Sequence, residues 1–250
     1  MIVTRVPSGI PGLDPLIEGG IPTNSTIALR AEPSNATEHF QQQFLVEGLK
    51  LGCPAVFCCL SRPVASVINS MKHQGFDVLE AVANDQLIFL DCYSMQKRTS
   101  VLGVDEAIQK KIVTVTDVDD ETMLQDGLAK VVERFSSLKG LRAVCENVPG
   151  TLTTKTAIEV MRWGRKAFGD LRAFDTLTLH TFPTDVREEL FSVMAHDFDA
   201  IIELRADRTT DRVRHYLSIQ KMRMTTVPTK MLEIDTDQPI ISLKTVQKIT

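Results

Sequence analysis

Aromatic side chains are scarce in this chain: one Trp, two Tyr and 11 Phe make up 6% of its 250 residues. Trp163, Tyr93 and Tyr216 supply little for a platform on which single-stranded nucleic acid could stack. No apolar stretch approaches the roughly 18 residues of a membrane span. The opening "MIVTRVPSGIPG" has no long apolar region behind a basic start, so no secretory signal is expected. Charge of either sign is nearly balanced, with a net value of -4, so no global field draws the chain to nucleic acid or an anionic membrane. The five cysteines (Cys53, Cys58, Cys59, Cys92, Cys145) form no CxxC pair. Three of them lie in apolar runs, where a free thiol behaves as a small hydrophobe, and a reducing cytoplasm is expected. His39, His73, His180, His196 and His215 show no metal-ligand spacing with one another or with cysteine. No GxSxG motif is present.

What is there is an alternation of short apolar runs with longer helical patterns. Strands are expected at Thr26–Leu29, Ala55–Leu60, Leu87–Cys92, Arg142–Cys145, Thr176–Thr181 and Ala200–Leu204. Helices are expected at Phe40–Leu49, Val64–Met71, Met123–Leu138 and Ala157–Phe168. Continuously apolar strands predict burial on both faces, as in a mostly parallel α/β sheet flanked by helices. After Ala200 the pattern changes. "VRHYLSIQKMR" and "KMLEIDTD" read as strands without intervening helices, an antiparallel extension at the C-terminal end. The stretch from Met95 to Glu121 is polar and poorly periodic, and reads as a surface excursion from one large domain spanning 1–250. Basic residues gather late, at Arg205, Arg208, Arg212, Arg214, Lys221 and Arg223, but Asp207 and Asp211 interrupt them, as on a solvated sheet edge.

In such a sheet, ligands bind beyond the carboxyl ends of the strands. Ser34–Glu38, Ser61–Arg62 and Glu146–Asn147 each follow an expected strand directly, so chemistry belongs in those three loops.

The phrase "SGIPGLDPLIEGGIP" (Ser8–Pro22) resembles the opening of KaiC-like proteins of the RecA ATPase superfamily. "QFLVEGLKLG" (Gln43–Gly52), "LIFLDCYS" (Leu87–Ser94), "DAIIELRAD" (Asp199–Asp207) and "LSIQKMR" (Leu217–Arg223) continue the likeness over nearly the whole chain. The resemblance implies a RecA-like P-loop NTPase core and an ancestry in ATP hydrolysis and ring or filament assembly. It also places the family's phosphate loop, Gly-x-x-x-x-Gly-Lys-Thr, on Ala31-Glu32-Pro33-Ser34-Asn35-Ala36-Thr37-Glu38.

Every signature position in that loop has changed. Ala31 and Ala36 lack the freedom of the glycines that let backbone N–H groups close around phosphate. Thr37 brings no positive charge where the lysine stood, and Glu38 replaces the hydroxyl that ligates magnesium. Glu32 and Glu38 set negative charge in a loop meant for a polyanion. A like-charge contact at about 4 Å costs roughly 4 kcal/mol at an effective dielectric near 20. Asn35 and Glu38 have the spacing of a capping box, so the loop reads as a phosphate loop rebuilt into a self-satisfied helix start. The glutamates that the family typically presents after its second strand are replaced by Ser61 and Arg62, neither of which is a carboxylate base. Glu146 stands where the resemblance puts the magnesium-linked aspartate.

The expectation is a pseudo-ATPase with a regulatory or scaffolding role through a protein partner, without cofactor, catalytic residue or metal. A non-hydrolysing nucleotide sensor and a nucleic-acid-associated, recombinase-like accessory protein stay open as alternatives. In the family the Lys-Met-Arg segment approaches the neighbouring subunit's nucleotide. Lys221 and Arg223 are therefore its carriers in a homo-oligomer or in an assembly with an active KaiC-like paralogue, with Glu32 or Glu38 of the next subunit as candidate anions. The family commonly follows that arginine with glycine, where this chain has Met224.

Overall fold

A computed structural model describes residues 3–94, 105–117, 121–135, 137–147, 156, 159, 175–186, 188–208 and 212–244. Two short strands, β1 (Arg5–Val6) and β2 (Ile21–Pro22), pair antiparallel around the N-terminal loop. The main succession follows as β3 (Thr26–Ala31), α1 (Asn35–Lys50), β4 (Ala55–Cys59), α2 (Val64–His73), α3 (Leu79–Ala83) and β5 (Leu87–Asp91). Next come α4 (Glu106–Gln109), β6 (Val113–Thr114), α5 (Glu121–Glu133), β7 (Arg142–Cys145), β8 (Leu177–Pro183) and α6 (Glu188–Ala195). Four strands close the described chain: β9 (Ala200–Arg208), β10 (Val213–Met222), β11 (Leu232–Asp235) and β12 (Ser242–Leu243).

The ten strands β3 to β12 form one sheet in the order β12-β11-β10-β9-β3-β8-β7-β4-β5-β6. From β9 to β6 every pairing is parallel, and from β9 to β12 every pairing is antiparallel. The sheet is thus mostly parallel with an antiparallel C-terminal end, as the apolar patterning predicts. Side chains alternate between its two faces. Ile27, Leu29, Phe57, Phe89, Val144 and Leu179 pack with Phe40 and Phe44 of α1 and with Val67 and Met71 of α2. On the opposite face, Phe182 and Ile201 meet Phe191 and Met194 of α6, while Val56, Ile88 and Leu90 meet Val131 of α5. Both faces are covered, which is why the inner strands show no polar alternation.

Arg142 fastens β7 to α1 and to the N-terminal segment. Its side chain is fully buried, donates to Phe44 O (2.8 Å) and Pro7 O (2.6 Å), and stacks 5.1 Å from the Phe44 ring centroid. Burial holds its pKa below the ordinary arginine value.

Apart from residue 159, the helix expected over 157–168 lies outside the described residues, as do 95–104 and 118–120 of the expected surface excursion. The rest of that excursion carries structure: α4, and β6 paired to β5 at the sheet edge. Among the described residues, no helix is long and apolar enough to cross a membrane.

Candidate functional site at the strand ends

The carboxyl ends of β3, β4, β7 and β8 open on a cleft of about 470 Å³. Its lining includes Glu32, Ser34, Thr37, Glu38, Arg62 and Glu146, so the three loops singled out in the sequence do converge.

The β3–α1 turn is closed by Ser34. Its backbone is extended (φ -160°, ψ 162°), and its Oγ accepts from Thr37 N at 3.3 Å. Thr37 Oγ1 lies 3.0 Å from Ser34 Oγ and donates to Glu32 O at 2.8 Å, closing the turn from within. This corrects the capping box expected from Asn35 and Glu38. Asn35 is the first helical residue, and the cap is the serine before it. Glu38 bonds side chains instead of the helix start, because a cation across the cleft draws its carboxylate away.

That cation is Arg62. The turn between β4 and α2 is held short by Pro63, whose extended backbone precedes the first residue of α2. It brings Arg62 between two carboxylates. One nitrogen, Nη1, pairs with Glu38 Oε1. Another, Nε, donates to Glu146 Oε2 at 3.1 Å. Ser61 N donates to Glu146 Oε1 at 3.3 Å. Glu38 Oε1 also accepts from Gln42 Nε2 at 3.0 Å, and the same Gln42 nitrogen lies 3.0 Å from Ser70 Oγ on α2. Gln74 Nε2 donates to Gln42 Oε1, extending the polar chain along α1 and α2.

The two glutamates respond differently to the shared arginine. Burial pushes the Glu38 carboxyl up, but hydrogen bonding with Ser70 and Arg62 and the charge of Arg62 outweigh it and leave the pKa lowered. Glu146 is only 4% exposed; there burial prevails over the attraction of Arg62 and the bond from Ser61, and the pKa is raised. Arg62 loses solvation too, yet the charge of Glu146 and its contacts with Glu38 raise its pKa above the ordinary value. Across the cleft, Gln41 Nε2 donates to Thr181 Oγ1 at 2.6 Å, while Glu32 at the rim pairs with Arg208 at 3.3 Å.

Lys221 and Arg223 lie apart from this cleft, at the C-terminal end of α6. Lys221 Nζ donates to Phe198 O (2.7 Å) and Ala195 O (3.2 Å). Arg223 pairs with Asp199 Oδ1 at 2.7 Å and donates to His196 O at 2.9 Å. Met224 follows with φ 55°, in the left-handed region. Among the described residues, no group of three or more His, Cys, Asp or Glu could hold a metal ion.

Sequence reasoning takes Arg62 only as the loss of a base and misses it as the partner of Glu38 and Glu146. The signal lies in two substitutions of opposite sign. Where the family resemblance puts a hydroxyl in the β3–α1 turn this chain has the Glu38 carboxylate, and where it puts a carboxylate after β4 this chain has the Arg62 cation.

A mostly parallel sheet with a strand–turn–helix near its middle, and charged side chains gathered beyond its strand ends, defines a RecA-like α/β protein. Within that class, the family described as "ATPase: KaiC" matches residues 6–247, and the chain belongs to that family. It is 28% identical to a UPF0273 protein of Aeropyrum pernix over 90% of this chain and 87% of that one. It is 26% identical to a UPF0273 protein of Pyrococcus furiosus, over 96% and 94% of the two chains. The crystal structure of a KaiC-like protein from Pyrococcus horikoshii OT3 superposes with a TM-score of 0.73 at 22% identity, covering 98% of this chain and all of the other.

Proposed function

We propose that this chain is a non-hydrolysing member of its family, a cytoplasmic pseudo-ATPase that regulates or scaffolds protein partners. One observation carries the reading: Arg62 sits between Glu38 and Glu146 and neutralises charge from within the chain. The residues of the cleft do not suit a magnesium triphosphate. Thr37 bonds back into its own turn, and Glu38 would face phosphate oxygens with like charge. Glu146 is tied to Arg62 and Ser61, and its raised pKa makes it a poorer ligand for a cation. Ser61 and Arg62 offer no carboxylate to activate water.

Phosphate release from magnesium ATP should equal that of a heat-treated control, and Thr37→Lys alone should not raise it. Steady release that is abolished by Glu146→Ala would overturn the reading.

A second reading has its own support. The cleft is open and lined with the hydroxyls of Ser34, Thr37 and Thr181, which suits a sensor that binds nucleotide without cleaving it. Titration with a fluorescent ATP analogue separates the two. Saturable binding strengthened by Glu38→Ser selects the sensor.

A further inference from the structure

Three thiols and an imidazole lie in a row on the sheet face opposite α1, and the cleft uses none of them. Cys145 on β7 is the register partner of Cys58 on β4 and of His180 on β8. The three side chains therefore lie side by side on one face. Just past β5, Cys92 brings its Sγ to 3.7 Å from that of Cys58. Cys58 and Cys92 are buried, whereas Cys145 is partly open to solvent. Cys145 thus has Cys58 on one side and the His180 imidazole on the other. The neighbouring Cys59 packs on the other face, in the core beneath α1 and α2.

We propose that Cys145 and Cys58 form a peroxide-oxidisable pair, with Cys145 the thiol attacked first and Cys58 the thiol that resolves it. Accessibility sets the order, since peroxide reaches the partly open Cys145 before its buried neighbours. The neighbouring Cys58 thiol, and after it the His180 imidazole, lower the Cys145 pKa well below the ordinary thiol value. The thiolate is the reactive form. Its sulfur attacks one peroxide oxygen, the O–O bond breaks, and the second oxygen leaves as water with the thiol proton. Cys145 is then a sulfenic acid. The Cys58 sulfur next attacks the Cys145 sulfur, the S–O bond breaks, and the hydroxyl leaves as water with the Cys58 proton. Two thiols and one hydroperoxide give one disulfide and two waters.

The location gives this bond a consequence. Glu146 follows Cys145 directly, and Ser61 and Arg62 lie just beyond Cys58 in the chain. The disulfide would fasten β4 to β7 immediately behind the Arg62–Glu146 pair.

Equimolar hydrogen peroxide, added to the reduced full-length chain before alkylation, should remove two of its five thiols. The mass should fall by about 2 Da, as disulfide formation requires. Tryptic peptides carrying Cys58 and Cys145 should be recovered linked. Cys145→Ser should abolish the thiol loss, Cys53→Ser should leave it unchanged, and Cys58→Ser should leave a sulfenic acid at Cys145 that dimedone traps. An undiminished thiol count in the wild-type chain overturns the proposal. So does a linkage of Cys58 to Cys92, or thiol loss that persists in Cys145→Ser. The wild-type linkage decides the matter even where a serine variant fails to fold.

Discussion

Arg62 Nε donates to Glu146 Oε2 at 3.1 Å while Nη1 of the same guanidinium pairs with Glu38, so one cation bridges the first turn of α1 to the end of β7. The two carboxylates nevertheless titrate in opposite directions from an ordinary value of 4.5.

Glu38→Gln and Glu146→Gln should therefore change stability with opposite pH dependence. The folded-state pKa of Glu38 is lowered, so its contribution is present above pH 4.5 and is lost as pH falls through the depressed value. Glu38→Gln should cost about 1 kcal/mol at neutral pH, as for a favourable partly exposed pair, and less in acid. The pKa of Glu146 is raised, so the folded state binds the proton more tightly and stability declines as pH rises from 4.5 through the raised value. The deficit of Glu146→Gln relative to wild type should then be larger near pH 4 than at pH 7. Urea melts at pH 4, 5, 6 and 7 would measure both. Parallel pH profiles for the two variants would remove this account of the network.

The start of α1 offers a test of the corrected cap. Ser34→Ala removes the acceptor for Thr37 N and should lower stability by about 1 kcal/mol. Asn35→Ala, at the first helical position, should change it by less than about 0.5 kcal/mol. Equal losses in the two variants would restore the cap to Asn35.

That correction shows what local sequence carries and what it does not. The inner strands were legible because burial on both faces leaves continuous apolar runs: Arg142–Cys145 coincides with its expected bounds, and Ala55–Leu60 and Leu87–Cys92 each run one residue past the observed strand. Short edge strands such as β6 and β12 carry two residues each and leave no periodic trace. Asn35 and Glu38 had capping spacing, but spacing within one helix knows nothing of Arg62, 24 residues on. The cleft was legible as three loops, whereas its ion pairs depend on how β4 and β7 lie side by side.

Met224 answers to backbone geometry. At φ 55° it holds a conformation that a side chain strains and glycine adopts freely, and it is 65% exposed, so little packing depends on it. Relief of the strain, about 1–2 kcal/mol, exceeds the added unfolded-state entropy of glycine, about 0.4–1 kcal/mol. Met224→Gly should raise stability by about 0.5–1 kcal/mol. Thermal melts of the two proteins decide it, and a lower midpoint for the glycine variant would mean that the side chain makes contacts worth more than the strain.

Self-association tests the late basic residues. Lys221 is held by the carbonyls of Ala195 and Phe198, so it serves the end of α6 in its own chain. Arg223 is 44% exposed even with Asp199 and His196 O bound, leaving part of its guanidinium open to a carboxylate of another copy. Glu32 is the better placed of the two expected anions, because its pair with Arg208 is exposed, whereas Glu38 is enclosed by Arg62 and Gln42. An exchange of exposed pairs contributes about 1 kcal/mol or less and is screened by salt. Copies joined through this edge should therefore associate weakly, and more at low salt. Arg223→Glu should reduce the association, while Lys221→Ala should lower thermal stability and leave association of the folded protein unchanged. Light scattering across protein and salt concentrations measures association of the wild type and both variants, and a thermal melt measures the Lys221→Ala loss. A strict monomer at high concentration and low salt would exclude the edge as an interface, and so would an assembly indifferent to the charge at Arg223.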